Sequence, residues 1–173
     1  MQQLYIIIMR VVILVILLFF TLQIDIAKLP ELNKIQVMKF DQFRPYLSRQ
    51  NDTMYLINFW ASWCAPCREE LPAIQNAEKN FSKYKFKILL VSLDFPNQLK
   101  THLLPFIKSN QIKSEVILLD DHDQNRWIDI VDPGWSGEIP FTVIYGKDFR
   151  EFYSHSFRSE ELDSILKLKL KLL

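Results

Sequence analysis

Asn58-Phe59-Trp60-Ala61-Ser62-Trp63-Cys64-Ala65-Pro66-Cys67-Arg68-Glu69-Glu70-Leu71-Pro72 is the stretch on which the reading of this chain turns. It joins an apolar run of β-formers, residues 54–60, to a segment in which Leu71, Ile74, Ala77, Glu78 and Phe81 recur at helical spacing. A buried strand therefore feeds a helix over residues 64–81, with Cys64 at the helix N-terminus. Unpaired amide hydrogens and the positive end of the helix dipole stabilise an anion there. The thiolate is the form of cysteine that attacks a disulfide sulfur. Cys67, one turn further on, shares a face with Cys64 and can resolve a mixed disulfide by attacking it. Pro66 lies early in the helix, where its missing amide hydrogen costs no bond.

These are the only two cysteines of the chain. Half of a zinc site, a purely structural disulfide and an inert buried pair are the competing readings. Against zinc, there is no second cysteine pair, and His102, His122 and His155 are scattered. Against a structural bridge, the loop it closes is so short that little chain entropy is removed. Redox exchange is the reading preferred here.

Outward from this stretch, strand-like and helix-like segments alternate. Residues 86–95 and 114–119 read as buried strands, residues 97–110 as a helix interrupted near Pro105, and residues 123–131 as a short helix. Residues 141–145 and 149–156 read as a hairpin turned by Gly146-Lys147-Asp148. In residues 159–173 a helix start (Ser159-Glu160-Glu161) conflicts with a Leu/Lys alternation of strand period; a helix is expected. Alternating elements ending in a hairpin predict an α/β fold on a central mixed sheet. Pro72 is expected to kink the helix after the cysteines. Trp60 reads as core, Trp63 as a shield or substrate contact, and Trp127 and Trp135 as buried packing with a substrate surface as the alternative. Asp120, Asp121 and Asp123 around His122 read as a polar loop, and no metal site is expected.

At the other end, residues 4–24 are apolar except at Arg10, Thr21 and Gln23. Twenty helical residues rise about 30 Å, the thickness of a bilayer core. Residues 1–24 are read as an uncleaved signal anchor, residues 25–34 as a linker and residues 35–173 as the functional domain. A removed signal peptide is the alternative, weakened by the lack of a small-x-small cleavage pattern; a buried helix is the third option. Either of the first two exports the domain, and Arg10 with the terminal amine places the N-terminus inside. The expected location is a single-pass anchor in the cell membrane, with the domain on the periplasmic or extracytoplasmic side.

Composition narrows the functions. Lys plus Arg total 21 against 20 Asp plus Glu, so nothing marks a nucleic-acid binder that neutralises phosphates. A content of 49% hydrophobic and 13% aromatic residues excludes a disordered chain.

The quoted stretch, together with Gly137-Glu138-Ile139-Pro140-Phe141-Thr142-Val143-Ile144, resembles the thioredoxin superfamily, and within it the TlpA/ResA-like extracytoplasmic thiol–disulfide oxidoreductases. The resemblance covers about residues 35–173 and implies a thioredoxin-like fold. It makes Cys64 and Cys67 the catalytic pair and Pro140 a cis-proline beside them. Pro140 would leave the Ile139 backbone free to pair with a substrate polypeptide. Trp63, Ala65 and Pro66 join Ile139 and Pro140 as expected substrate contacts.

Cytoplasmic thioredoxins carry a buried Asp where this chain has Asn58. Glu70 matches an acidic residue of the ResA-like proteins, and it is expected to manage the Cys67 proton and raise the thiol pKa values. A solvated first-turn glutamate is the alternative, and it describes Glu69 well. The resemblance further implies a reductant of exported protein disulfides, some relatives acting on apocytochromes during cytochrome c maturation. Electrons would come from a membrane thiol shuttle of the CcdA or DsbD type. The redox-active pair is the expected electron carrier, with no further cofactor. Three other functions stay open: a disulfide oxidase or isomerase, a non-catalytic binding module, and, more weakly, a peroxidase. Peroxide-reducing relatives place a Thr where this chain has Ala61.

Overall fold

Seven consecutive buried residues explain why Met54–Trp60 becomes the middle of a sheet covered on both faces. The computed structural model describes residues 2–21 and 35–171, with the side chains of residues 4, 7, 11 and 15–21 outside the description. The chain divides into two units, Met1–Lys34 and Ile35–Leu173. In the first, the backbone of Gln2–Thr21 is a helix, α1. No helix among the described residues is long and apolar enough to cross a membrane. The expected linker, residues 25–34, lies outside the described residues.

The second unit holds a six-stranded mixed sheet: β1 (Gln36–Met38), β2 (Met54–Trp60), β3 (Phe86–Ser92), β4 (Glu115–Leu119), β5 (Phe141–Tyr145) and β6 (Arg150–Tyr153). The spatial order is β1-β4-β3-β2-β5-β6. The four strands β1, β4, β3 and β2 run parallel, and β5 and β6 are antiparallel to their neighbours. Five helices accompany the sheet: α2 (Phe40–Phe43), α3 (Ala65–Asn80), α4 (Leu104–Ser109), α5 (Gln124–Val131) and α6 (Ser159–Leu170).

The period of two along β2 divides its side chains between two cores. Met54, Leu56 and Trp60 meet Ile74, Ala77, Leu162 and Leu166 of α3 and α6. Tyr55, Ile57 and Phe59 meet Phe40, Phe43, Trp127, Trp135 and Phe141. The second core is largely aromatic, with Trp135 stacked on Phe141 at 4.4 Å and Phe40 on Trp127 at 5.4 Å between ring centroids. Trp127 and Trp135 are thus packing residues, their indole N–H groups donating to the carbonyls of Asp121 and Glu138.

Several boundaries differ from the expectations. The segment before Asn110 is not one interrupted helix. A 3₁₀ turn (Pro96–Gln98) and a wide π-type turn (Leu99–Leu103) precede α4, and Pro105 sits in the first turn of α4, where its missing N–H is harmless. The strand of residues 86–95 ends at Ser92, and that of residues 149–156 covers only Arg150–Tyr153. α3 continues through Pro72 to Asn80. The Leu/Lys segment is helical to Leu170, because Leu162 and Leu166, four residues apart, are buried against α3.

Candidate active site

β2 delivers the chain to the site, and α3 begins there. Cys64 is the N-cap of α3, and its sulfur accepts a hydrogen bond from the Cys67 amide at 3.3 Å. Cys64 and Cys67 are joined in a disulfide with an S–S distance of 2.05 Å. Cys64 is nearly buried and Cys67 completely so. The exposed groups at this corner are Ala65, Pro66 and Trp63, the last 57% exposed despite its size. The Cys64 sulfur lies 3.7 Å from the carbonyl oxygen of Ile139, and the Ile139–Pro140 bond is cis. Two segments distant in sequence, both singled out above, therefore converge on one sulfur.

The turn before Cys64 is held from β3. Asp94, buried beyond the end of β3, accepts bonds from the Ser62 amide at 2.9 Å, the Ser62 hydroxyl at 2.5 Å and the Ser92 hydroxyl at 2.7 Å. The Leu93 amide adds a bond to the Trp60 carbonyl at 2.8 Å. On the other side, the loop between β6 and α6 reaches back to the dithiol turn, the Ser156 hydroxyl donating to the Pro66 carbonyl at 3.0 Å.

Glu70 is fully buried, whereas Glu69 next to it is exposed. Cys67 and Glu70 stand one turn apart on the buried side of α3. Asn58 donates to one carboxyl oxygen of Glu70 at 2.7 Å, and the Phe157 amide donates to the other at 3.0 Å. Asn58 also donates to the Thr142 hydroxyl at 2.9 Å, across the β2–β5 pair, while its own carbonyl oxygen is buried without a partner among the described residues. Burial pushes the Glu70 carboxyl up to about 7; the Phe157 and Asn58 hydrogen bonds and the nearby His155 only partly oppose it. A carboxyl in that range both accepts and releases protons near neutrality.

Residues 31–150 match the AhpC/TSA family over more than half the chain. The chain belongs to the AhpC/TSA family. Within this AhpC/TSA chain, 46 residues are 41% identical to thioredoxin-like protein YneN of Bacillus subtilis, 27% of this chain and 25% of that protein. Over 54 residues it is 37% identical to the thiol–disulfide oxidoreductase ResA of Oceanobacillus iheyensis, 31% of this chain and 28% of that one. The chain thus spans less than a third of the length of these relatives. Among solved structures, a thioredoxin family protein from Chlorobium tepidum superposes with a TM-score of 0.58 at 22% identity, covering 69% of this chain and 81% of that one. StoA from Bacillus subtilis superposes at 0.51 with 20% identity, covering 66% and 82%. The fold is thioredoxin-like, a central mixed sheet flanked by helices.

For this AhpC/TSA chain, then, the structure brings Cys64, Cys67, Ile139 and Pro140 together, with the buried Glu70 one turn further along α3 and Trp63, Ala65 and Pro66 exposed at the same corner. The sequence reading did not single out Asp94, Thr142, Ser156 or Phe157. Their roles arise from contacts across many residues of sequence, and no local pattern signals them. The acidic loop is structural. Asp120 pairs with Lys39 at 2.9 Å, and Asp121 accepts from the Phe40 amide and pairs with Arg126 at 2.7 Å. No cluster of three or more metal-ligating side chains occurs among the described residues.

Proposed function

We propose that this protein is a thiol–disulfide oxidoreductase that reduces disulfides in exported proteins. The observation that carries the reading is the Cys64–Cys67 disulfide at the N-terminus of α3, its outer sulfur against the Ile139 carbonyl. In the reduced protein, the Cys64 thiolate attacks a substrate disulfide, forming a mixed disulfide and releasing one substrate thiolate, which takes up a proton. Cys67 then attacks the Cys64 sulfur, restoring the intramolecular disulfide and releasing the second substrate thiol. Two electrons pass to the substrate. Glu70 accepts the Cys67 proton as that thiol becomes a nucleophile. Trp63, Ala65, Pro66, Ile139 and Pro140 form the surface that meets the substrate chain, paired strand-like on the Ile139 backbone.

The apolar residues 4–24 support a membrane anchor with the thioredoxin-like domain on the extracytoplasmic side. Such a tether suits an electron supply from a membrane thiol shuttle of the CcdA or DsbD type, and substrates that include apocytochromes awaiting haem. The ResA relatives, named as thiol–disulfide oxidoreductases, support the activity class.

The test is reduction of a disulfide-bonded protein by the dithiol form of the full chain. The Cys64→Ala/Cys67→Ala variant is expected to lose the activity completely; full retention overturns the reading. The anchor is tested separately by washing membranes at alkaline pH. The chain is expected to stay in the pellet, and its release overturns the anchor alone.

A further inference from the structure

A cavity of about 260 Å³ shares Trp63 and Ile139 with the site. Trp63, Phe95 and Trp127 contribute aromatic surface to it, and Asp94 and Asp121 contribute carboxylates. Trp63 and Phe95 are each more than half exposed, an unusual position for such large apolar side chains. The two carboxylates differ. Asp121 is neutralised by Arg126 at 2.7 Å. Asp94 is 2% exposed, and its donors, the Ser62 amide and the Ser62 and Ser92 hydroxyls, are all neutral. Among the described residues Asp94 makes no ion pair, and the cavity lining holds no lysine or arginine. Its basic member is His122, 3.5 Å from Asp120.

A carboxylate removed from water and held by neutral donors attracts a counter-ion more strongly than one in solvent. Aromatic faces around it add cation–π attraction. Apart from Arg10 the chain is formally neutral, so a preference for cations at this cavity is local and not a property of the whole surface.

We propose that this cavity is a side-chain subsite that receives a lysine or arginine of the polypeptide under reduction, close to the cysteine engaged by Cys64. The proposal rests on the thiol–disulfide reading above. Ile139 supplies the geometry, since its carbonyl lies 3.7 Å from the Cys64 sulfur while the same residue lines the cavity. A substrate strand paired on Ile139 therefore carries a neighbouring side chain past the opening, about 7 Å from its cysteine.

The experiment uses the full chain, reduced and held in neutral detergent, and three probes. Two are octapeptides, each with one cysteine joined by a disulfide to 5-thio-2-nitrobenzoate and flanked by lysines in one and glutamates in the other. The third is hydroxyethyl disulfide. Cys64 attacks the peptide sulfur, the S–S bond to thionitrobenzoate breaks, and the coloured thiolate leaves. Cys67 then releases the peptide thiol, so one protein dithiol is oxidised for each probe reduced. The lysine peptide is expected to react roughly tenfold faster than the glutamate peptide. Phe95→Ala and Asp94→Asn are each expected to bring that ratio close to one. The ratio is the readout, so a variant slowed by a disturbed turn remains informative. Equal rates for the two peptides, with hydroxyethyl disulfide reduced normally, overturn the subsite and leave the oxidoreductase reading standing. A full preference in both variants overturns the subsite as well. Failure to reduce any of the three probes overturns the oxidoreductase reading and the subsite with it.

Discussion

Glu70 stands one turn along α3 from Cys67. It is fully buried, accepts bonds from Asn58 and Phe157, and has a carboxyl pushed up to about 7 by loss of solvent. Its effect on stability has a definite sign. The ordinary value is 4.5, so the folded state holds a proton that the unfolded state releases between about pH 4.5 and 7. The stability contributed by protonated Glu70 is full below that window and is lost as pH rises through it, by roughly 3 kcal/mol. Glu70→Gln removes this dependence. Urea unfolding of the oxidised protein at pH 5 and pH 8 is expected to show the parent weakening relative to Glu70→Gln by about that amount. Equal pH dependence in the two proteins contradicts the assignment. The same substitution is expected to flatten the pH–rate profile of disulfide exchange near neutrality, because the group proposed to take the Cys67 proton is gone.

At the scale of elements, several ends are tied together at the end of the sheet away from Cys64. Arg150, opening β6, donates to the Leu47 carbonyl at the end of the 3₁₀ turn Arg44–Leu47 and to the Val131 carbonyl at the end of α5. Its guanidinium also lies 5.2 Å from the Phe152 ring centroid. Arg150→Ala leaves two carbonyls without donors and is expected to lower stability by about 2–3 kcal/mol in chemical denaturation. Arg150→Lys is expected to restore less than half of that, since an ammonium lacks the planar fork. A loss below about 0.5 kcal/mol for Arg150→Ala contradicts the account.

This tie also shows what the sequence made legible. The continuous apolar run of β2, the helix after the cysteines and the hairpin at Gly146 are local patterns, and all three were read correctly. β1 was not foreseen, because Gln36–Met38 is three residues long with Gln36 and Val37 exposed, so no alternation marks it. α2 is a single turn, capped from Asp121, eighty-one residues away. At the site, Cys64 and Cys67 stand out by their spacing after a strand, and Glu70 by the resemblance to ResA-like proteins. Asp94, Thr142 and Phe157 do not stand out, because each acquires its role only when the sheet brings distant strand ends together. At α6 the helix expected from Ser159-Glu160-Glu161 forms in spite of the Leu/Lys alternation. Its period describes a strand, but burial of Leu162 and Leu166 against α3 decides the outcome.

For the whole molecule, the proposed function sets a buried cysteine pair, with Glu70 one turn further along α3, to work as a reductant of protein disulfides. A negative charge on Glu70 near the thiols opposes the strongly depressed thiol pKa that makes a protein a disulfide donor. The direction of exchange is therefore the claim most exposed to test. The most direct measurement is the reduction potential of the Cys64–Cys67 pair, obtained by equilibrating the full chain in detergent with a thiol buffer and quantifying both redox forms. A value near −270 mV, about that of thioredoxin, is the predicted result. A value near −120 mV, about that of the strong oxidant DsbA, contradicts it and makes the protein a donor of disulfides.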